Sequence, residues 1–197
     1  MILVVAAMQE EVKFFNQENL PKVKILLTGV GKVNASMILA DYLAAHQVSA
    51  IYNLGFAGAT QPFEVGDLVL INDAAYHDFD LSLFGYEKGQ VPGYPKKFIS
   101  NHQLVQNIKN IIPEIKTGHL LTGDYFMTQH QEEACILDME GAALYQVAFK
   151  KEIPIVSVKV VSDVMGMDNH FESYKKFESN MGAHILNELF IKLFKEV

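Results

Sequence analysis

The chain has 197 residues, of which 50% are hydrophobic and 20% are charged, and its 16 positive and 23 acidic side chains give a formal net charge of −7. This composition excludes a disordered protein and is typical of one globular domain with a sizeable core, so we expect a single domain over residues 1–197. The positive charges are scattered and outnumbered, which argues against nucleic acid as a partner. All 16 are lysines, so no guanidinium is available to bind phosphate or a carboxylate with two parallel hydrogen bonds.

The first segment predicts a buried strand rather than a targeting sequence. MILVVAAM is apolar, but no cationic region precedes it and Gln9, Glu10 and Glu11 follow at once, so it is too short for a signal peptide or a membrane span. The single cysteine, Cys135, stands in an apolar run and cannot form an intrachain disulfide. We therefore expect a cytoplasmic protein with no membrane partner.

Short apolar runs along the chain predict strands that are covered on both faces. Helical patterns follow at residues 32–46 and 138–150, and apolar side chains recur every fourth residue from Phe177 to Leu193. This alternation predicts an α/β fold, a single three-layer domain with a central mixed, mostly parallel twisted sheet flanked by helices. Ligand sites of such sheets lie at the carboxyl ends of strands. The predicted strands cover residues 2–7, 23–28, 49–54, 67–71, 119–122 and 153–161.

Two acids follow the first predicted strand, in the sequence AMQEEV. The strand delivers Glu10 and Glu11 into a turn or a helix, where one acid can face solvent and the other a cleft. A pair of solvated carboxylates at a helix start is the alternative, and the residues by themselves favour it.

Two turns contain glycines that can bring backbone N–H groups close to a ligand. In TGVGKVNA, Gly29 and Gly31 separate a strand from a helix, which suits an anion or a sugar hydroxyl. The sequence is not a Walker loop, and Asn34 occupies the place of the third glycine of a dinucleotide fingerprint. In NLGFAGA we expect the strand to end at Gly55, with Gly58 allowing close approach of a ligand.

Two further groups of acids lie where a predicted strand meets a predicted helix. Asp138 and Glu140 flank Met139 and leave the backbone in different directions, so one of them can bind a diol; capping of a helix by Asp138 is compatible with that role. Ser162 and Asp163 end a buried run, where partial burial would raise the pKa of Asp163 enough for it to donate a proton near neutrality. A helix cap is again the alternative.

Metal and cofactor chemistry find little support in the sequence. His77, Asp78 and Asp80 could suggest a metal site, but no second histidine lies at ligand spacing, so we expect no metal and no cofactor. The same acids open the longest irregular stretch, residues 78–98, which is rich in glycine, proline and aromatic residues. Loops of that length are often functional.

Taken together and in order, these motifs resemble the nucleoside phosphorylase and nucleosidase superfamily, and within it the 5′-methylthioadenosine/S-adenosylhomocysteine nucleosidase family. The resemblance covers most of the chain and implies a nucleoside phosphorylase-like fold and a small nucleoside as the partner. Its most specific part is the stretch from YHD to GYP. The matching sequences are AMQEEV, GVGKVNA, NLGFAGA, VGDLVL, YHDFDLSLFGYEKGQVPGYP, TGDYFM, DMEGAA and SDV.

The resemblance implies a role for residues at the base and at the attacking water. Glu11 would be the general base that activates water, and Asp163 the acid that protonates or hydrogen-bonds purine N7, oriented by Ser162. Phe126 would stack on adenine, and backbone groups of Phe126 and Met127 would read its edge.

The same resemblance implies which residues bind the sugar and its 5′ substituent. Glu140 would hold the ribose hydroxyls, with Met139 lying against the ring. An apolar pocket would take the 5′-alkylthio group and would be completed across a homodimer interface, so that the 78–98 loop contributes to the neighbouring active site. The residues of this pocket would be Leu81, Phe84, Tyr86 and Pro92.

The chain departs from the family pattern at several positions. Phe56 replaces a small hydroxyl residue and Lys159 replaces an arginine, both near the expected water and ribose. Asp138 replaces a longer glutamate, so that one sugar contact is lost or bridged by water. The chain is also shorter than typical members, by a hairpin between Glu11 and Val23 and by a segment between Met127 and Cys135.

The expected reaction is hydrolysis of the N-glycosidic bond of 5′-methylthioadenosine and S-adenosylhomocysteine, which releases adenine and the 5′-thio-ribose. Its transition state resembles an oxocarbenium ion, so an acid at the base and carboxylates at the sugar suit it. The absence of arginine favours water over phosphate as the nucleophile. The alternatives are a purine nucleoside phosphorylase, a nucleosidase for another 5′-substituted nucleoside such as futalosine, and a catalytically inactive nucleoside-binding protein.

Overall fold

The apolar runs form strands because helices cover both faces of the sheet that they build. The computed structural model describes residues 1–18, 20–127, 134–166, 177 and 181–195. Within these residues the strands are β1 Ile2–Ala6, β2 Val23–Leu27, β3 Ala50–Ala59, β4 Leu68–Tyr76, β5 Phe98–Ile99, β6 Lys116–Thr122, β7 Ile136–Asp138 and β8 Ile155–Val164. The helices are α1 Gln9–Val12, α2 Lys32–Ala45, α3 His102–Ile111, α4 Gly141–Lys151 and α5 Ala183–Phe194, with a 3₁₀ turn at Ser82–Phe84.

The strands form one mixed sheet that closes on itself. Its order is β2-β1-β3-β7-β6-β4-β5, and β8 pairs with both β3 and β4. The path from β3 through β7, β6 and β4 therefore returns through β8 to β3. In the described part of the chain, five of the eight strand pairings are parallel, which confirms the mixed, mostly parallel sheet. The closure itself was not predicted.

Helices lie on both faces of the sheet and make the three predicted layers. On one face, Leu39 of α2 and Leu144 of α4 are buried against inward-facing residues of β1 and β3. On the other face, Ile108 of α3 and Phe190 of α5 are buried in a second apolar cluster. No described helix is long and apolar enough to cross a membrane.

The predicted elements differ from the observed ones in three places. The expectation that the third strand ends at Gly55 is wrong, because β8 pairs with β3 along its length and carries it to Ala59. The helix predicted from residue 138 begins at Gly141, since Asp138 still pairs in β7. The strands β5 and β7 and helix α3 were not predicted. The proposed shortening between Met127 and Cys135 falls on residues 128–133, which lie outside the described residues.

Candidate active site

One cleft of about 520 Å³ collects residues from the ends of β1, β3, β7 and β8. The structure brings Glu11, Glu140 and Asp163 together on its wall, although more than 20 residues separate the nearest two in sequence. Further predicted site residues that line it are Phe56, Phe126, Asp138, Met139 and Ser162. Ala7, Met8, Val30, Ala57, Gly58 and Leu137 complete the lining.

Three backbone N–H groups hold the carboxylate of Glu11. Ala7 and Met8 each donate to Oε2 over 2.9 Å, and Phe56 donates to Oε1 over 2.8 Å. Glu11 is only 3% exposed, whereas Glu10 faces solvent, so the alternative of two solvated acids is wrong for Glu11. Burial raises the pKa of Glu11, against the opposing effects of Lys159 and of the three N–H donors.

Glycine is required at position 55 because the Glu11 carboxylate occupies the space of a side chain there. A Cβ on Gly55 would lie 2.5 Å from Oε1 of Glu11. The carboxylate cannot retreat without losing its backbone donors. We therefore expect Gly55→Ala to lower kcat about 10- to 100-fold through misplacement of the carboxylate. Steady-state kinetics of the reaction in this cleft measures this, and unchanged affinity for a ligand of the opposite end of the cleft is the control; a wild-type kcat would contradict it.

Asp163 lies inside β8 at the other end of the cleft. It is 1% exposed, and the hydroxyl of Ser162 lies 2.5 Å from its Oδ1 and 3.0 Å from the carbonyl oxygen of Ala57. The helix-cap alternative for Ser162 and Asp163 is wrong, because β8 continues to Val164. The Asp163 carboxyl group packs against Gly58, where a Cβ would lie 3.0 Å from Oδ2 of Asp163.

Asp138 is bound by protein groups on both of its oxygens. Lys159 Nζ lies 2.9 Å from Oδ2, the hydroxyl of Thr122 donates to Oδ1 over 2.6 Å, and the N–H of Gly141 reaches both oxygens. Asp138 thus accepts the first N–H of the following helix, although Glu140 and not Asp138 stands at the N-cap position, and it also forms a buried ion pair. Asp138 orients the polar wall of the cleft.

Lys159 supplies the positive charge among the buried acids. Burial by itself would lower the pKa of Lys159, but the carboxylates of Asp138, Glu11 and Glu140 outweigh it and raise this pKa. The ammonium group thus stays charged at the position where the resemblance implies an arginine.

Glu140 accepts the N–H of Gly31 on Oε1 over 2.8 Å. The glycine turn before α2, predicted to approach a ligand, thus holds a carboxylate of the protein itself. Burial, and then the charge of Asp138, raise the pKa of Glu140 to about 7. Its charge therefore changes within the physiological range.

A chamber of about 40 Å³ extends the cleft past Asp163, with Phe126 and Met127 in its wall. Phe126 is 47% exposed, and Met127 is buried. His77 also lines the chamber, and its buried Nδ1 has no hydrogen-bond partner among the described residues. Burial lowers the pKa of His77, which favours the neutral imidazole. From the sequence, His77 is a candidate only for a metal ligand, although its position directly after β4 is a signal that could have placed it here.

The predicted 5′ pocket lies away from the cleft of this chain. Leu81, Phe84, Tyr86 and Pro92 do not line the cleft, and the Phe84 side chain is 76% exposed.

Among the described residues, no group of three or more His, Cys, Asp or Glu side chains could hold a metal ion.

Comparisons with known proteins match both the sequence and the fold. A sequence profile of the phosphorylase superfamily matches residues 14–189. The chain is 35% identical over 175 residues to a 5′-methylthioadenosine/S-adenosylhomocysteine nucleosidase of Geobacillus sp. (strain WCH70), covering 81% of this chain and 75% of the relative. It is 36% identical over 171 residues to the nucleosidase of the same description from Buchnera aphidicola subsp. Schizaphis graminum (strain Sg), covering 80% and 71%.

Solved structures of such nucleosidases have the same fold. The Neisseria meningitidis enzyme in complex with methylthio-immucillin-A superposes with a TM-score of 0.88 at 25% identity, covering 100% of this chain and 99% of that one. The Streptococcus pneumoniae enzyme in complex with 8-aminoadenine gives a TM-score of 0.87 at 28% identity, covering 99% and 98%. The chain belongs to the phosphorylase superfamily and, within it, to the family of 5′-methylthioadenosine/S-adenosylhomocysteine nucleosidases.

Proposed function

We propose that this protein hydrolyses the N-glycosidic bond of 5′-methylthioadenosine and S-adenosylhomocysteine, releasing adenine and the 5′-thio-ribose. The observation that carries the proposal is the convergence of Glu11, Glu140 and Asp163 on one cleft in a chain of this family. The named relatives are nucleosidases, and the solved ones bind adenine analogues or a nucleoside analogue.

Asp163 is the proposed acid at the leaving base. Purine departs as an anion, and a proton or a hydrogen bond to N7 stabilises the charge that develops in the transition state. Ser162 suits both protonation states, because its one hydroxyl proton can go to the Ala57 carbonyl or to Asp163. When the hydroxyl donates to Oδ1 of Asp163, a proton carried on Oδ2 is the one that can be given to N7, and after the transfer the same hydrogen bond stabilises the carboxylate. Phe126 lies at this end of the cleft as the proposed stacking ring, and Met127 supplies the proposed backbone contact.

Glu140 and Met139 form the proposed sugar site. Glu140 uses Oε1 for Gly31, so its second oxygen is the proposed acceptor for the ribose hydroxyls. Asp138 is engaged by Lys159, Thr122 and Gly141, which supports a positioning role rather than a direct sugar contact.

Glu11 is the proposed general base for water. A carboxylate has about four acceptor positions, and three are taken by described backbone donors, which leaves one on Oε1 for a water proton. The Phe56 ring does not displace this carboxylate: it is buried against Phe177 at a centroid distance of 5.7 Å, while its N–H holds Glu11.

The experiment that tests the function is adenine release by the purified protein in phosphate-free buffer. We expect turnover of 5′-methylthioadenosine and S-adenosylhomocysteine without phosphate. Turnover only after phosphate addition would replace hydrolysis by phosphorolysis. Faster cleavage of another 5′-substituted nucleoside in a substrate panel would change the substrate, and adenine binding without cleavage over hours would make the protein a binding module.

The assembly is proposed to be a homodimer in which the 78–98 loop reaches the neighbouring active site. The exposed side chains of Phe84 and Tyr86 support this, since neither lines the cleft of its own chain. A cytoplasmic location is supported by the single cysteine, Cys135, which is buried. Light scattering of the purified protein measures the assembly, and a monomer of full activity would contradict the shared site.

The pH dependence of kcat/KM should report Glu140. An ionised Glu140 accepts hydrogen bonds from the ribose, and its pKa is raised to about 7, so kcat/KM should fall as the pH drops below about 7. In Glu140→Gln the rate should be lower and this limb should disappear. Glu10→Gln, at an exposed neighbour of Glu11, is the control and should keep the wild-type profile. A limb that persists near pH 7 in Glu140→Gln would assign it to another group.

A further inference from the structure

Three segments that are distant in sequence meet at Lys32, outside the carboxylate cluster described above. The Nζ of Lys32 lies 2.7 and 2.6 Å from the two oxygens of Asp78, and its backbone N–H donates to Oδ1 of Asp124 over 2.8 Å. Asp124 in turn donates its N–H to Oδ2 of Asp78 over 2.8 Å. We call these three residues the Lys32 clamp; their hydrogen bonds form a closed ring.

Lys32 and Asp78 form a partly buried pair, with side chains 23% and 14% exposed, whereas Asp124 is exposed. Asp78 is bound at both oxygens, and hydrogen bonds from Lys32 and from the N–H of Asp124 outweigh burial and lower its pKa. The ammonium group also lies 5.5 Å from the centre of the Tyr76 ring. A partly exposed ion pair contributes little to the stability of a fold. The role of the clamp therefore depends on which segments it holds together.

The clamp holds the segment that leads to the base end of the cleft. Asp124 lies between the end of β6 and Phe126, in a stretch without helix or strand. Phe126 follows two residues later and lines both the cleft and the chamber behind it. Asp124 is therefore the contact that fixes the start of the segment carrying this ring.

The neighbouring residue Gly31 connects the clamp to the sugar side. Its φ of +96° is a conformation that favours glycine, and its N–H donates to Glu140 while the next N–H, of Lys32, donates to Asp124. Two consecutive amides thus hold the proposed sugar carboxylate and the proposed base segment. The start of α2 sets the distance between them.

We propose that Lys32, Asp78 and Asp124 are positioning residues for base recognition, which place the Phe126 segment at a set distance from Glu140. This inference rests on the proposed function, in which Phe126 stacks on adenine. The clamp touches none of the three proposed reacting carboxylates directly, so its loss should affect binding of the base more than the chemical step.

The test compares Lys32→Met with Lys116→Met in the full-length protein. Lys116 makes a contact of the same length, 2.6 Å to Asp67, and lies outside the lining of the cleft, so it controls for the loss of one ion pair. We expect Lys32→Met to raise both the adenine Kd, measured by calorimetry, and the KM for 5′-methylthioadenosine about 10- to 100-fold, with a smaller change in kcat. Lys116→Met should leave all three at wild-type values.

A second pair of variants separates positioning from folding. Asp124→Asn keeps an acceptor oxygen for the N–H of Lys32 and should keep the adenine Kd near the wild-type value, whereas Asp124→Ala should raise it as Lys32→Met does. Unchanged adenine Kd and KM in Lys32→Met, or equal changes in Lys116→Met, would overturn the role of the clamp and leave the proposed function standing. A wild-type protein that neither binds adenine nor cleaves nucleosides would overturn the proposed function, and this inference with it.

Discussion

Replacement of Asp163 by Asn is expected to lower kcat for 5′-methylthioadenosine about 100- to 10,000-fold, the usual contribution of a positioned general acid. Asn has nearly the same shape and can keep the contact with Ser162, but it has no acidic proton to give to the purine. Because Asp163 lies in a continuous strand and is almost fully buried, the change should remove the proton and leave the backbone in place.

Two measurements distinguish acid catalysis from damage to the site. A 5′-methylthioriboside whose leaving group departs without protonation, such as a nitrophenolate, should lose far less rate in Asp163→Asn than the adenine nucleoside does. Ser162→Ala is the companion variant and should be milder, because it removes an orienting group and not the acid. Adenine nucleoside turnover within about 10-fold of wild type in Asp163→Asn would remove Asp163 from the role of acid.

Replacement of Glu11 by Gln should have an effect of similar size on kcat, about 100- to 10,000-fold, because a neutral amide cannot accept a proton from water. It also conflicts with the local hydrogen bonds. Ala7 and Met8 donate to one oxygen and Phe56 donates to the other, so the amide nitrogen of Gln faces an N–H group in either orientation. Each donor left without an acceptor costs about 1–3 kcal/mol, and the melting temperature should fall together with activity.

A loss of activity in Glu11→Gln can come from unfolding or from the missing base. Kinetics should therefore be measured well below the melting temperature, and an unchanged adenine affinity shows that the base end of the cleft is folded. Glu10→Gln is the matched variant, since Glu10 lies next to Glu11 but faces solvent, and it should keep both activity and melting temperature. A Glu11→Gln protein that binds adenine and turns over within about 10-fold of wild type would exclude Glu11 as the base.

Local pattern was sufficient for most of the longer elements of the fold, although not for α3. The apolar runs predicted six strands, because a strand buried on both faces must be apolar along its length. The helical patterns predicted the main helices α2, α4 and α5. The two-residue β5 and three-residue β7 carry too few side chains to produce a pattern. Gly55 suggested a strand end, but the pairing of β3 with β8 overrides the weak strand preference of glycine.

The site divides in the same way. The sequence by itself determined which acids stand at strand ends and, through the order of the motifs, the family. Local pattern could not determine which of Glu10 and Glu11 faces the cleft, because both satisfy a helix start; only the resemblance selected Glu11. Nor could it pair Lys159 with Asp138, although that ion pair holds the polar wall of the cleft.

Only the tertiary structure decided where the glycine turns direct their N–H groups and what surrounds His77. Gly31 donates to Glu140, 109 residues away in sequence, and Lys32 donates to Asp124, 92 residues away. Contacts of that separation depend on strand order and on the closure of the sheet through β8, which no local period encodes. Residue type and spacing determine which groups are available for chemistry, whereas the packing of distant segments determines which of them meet.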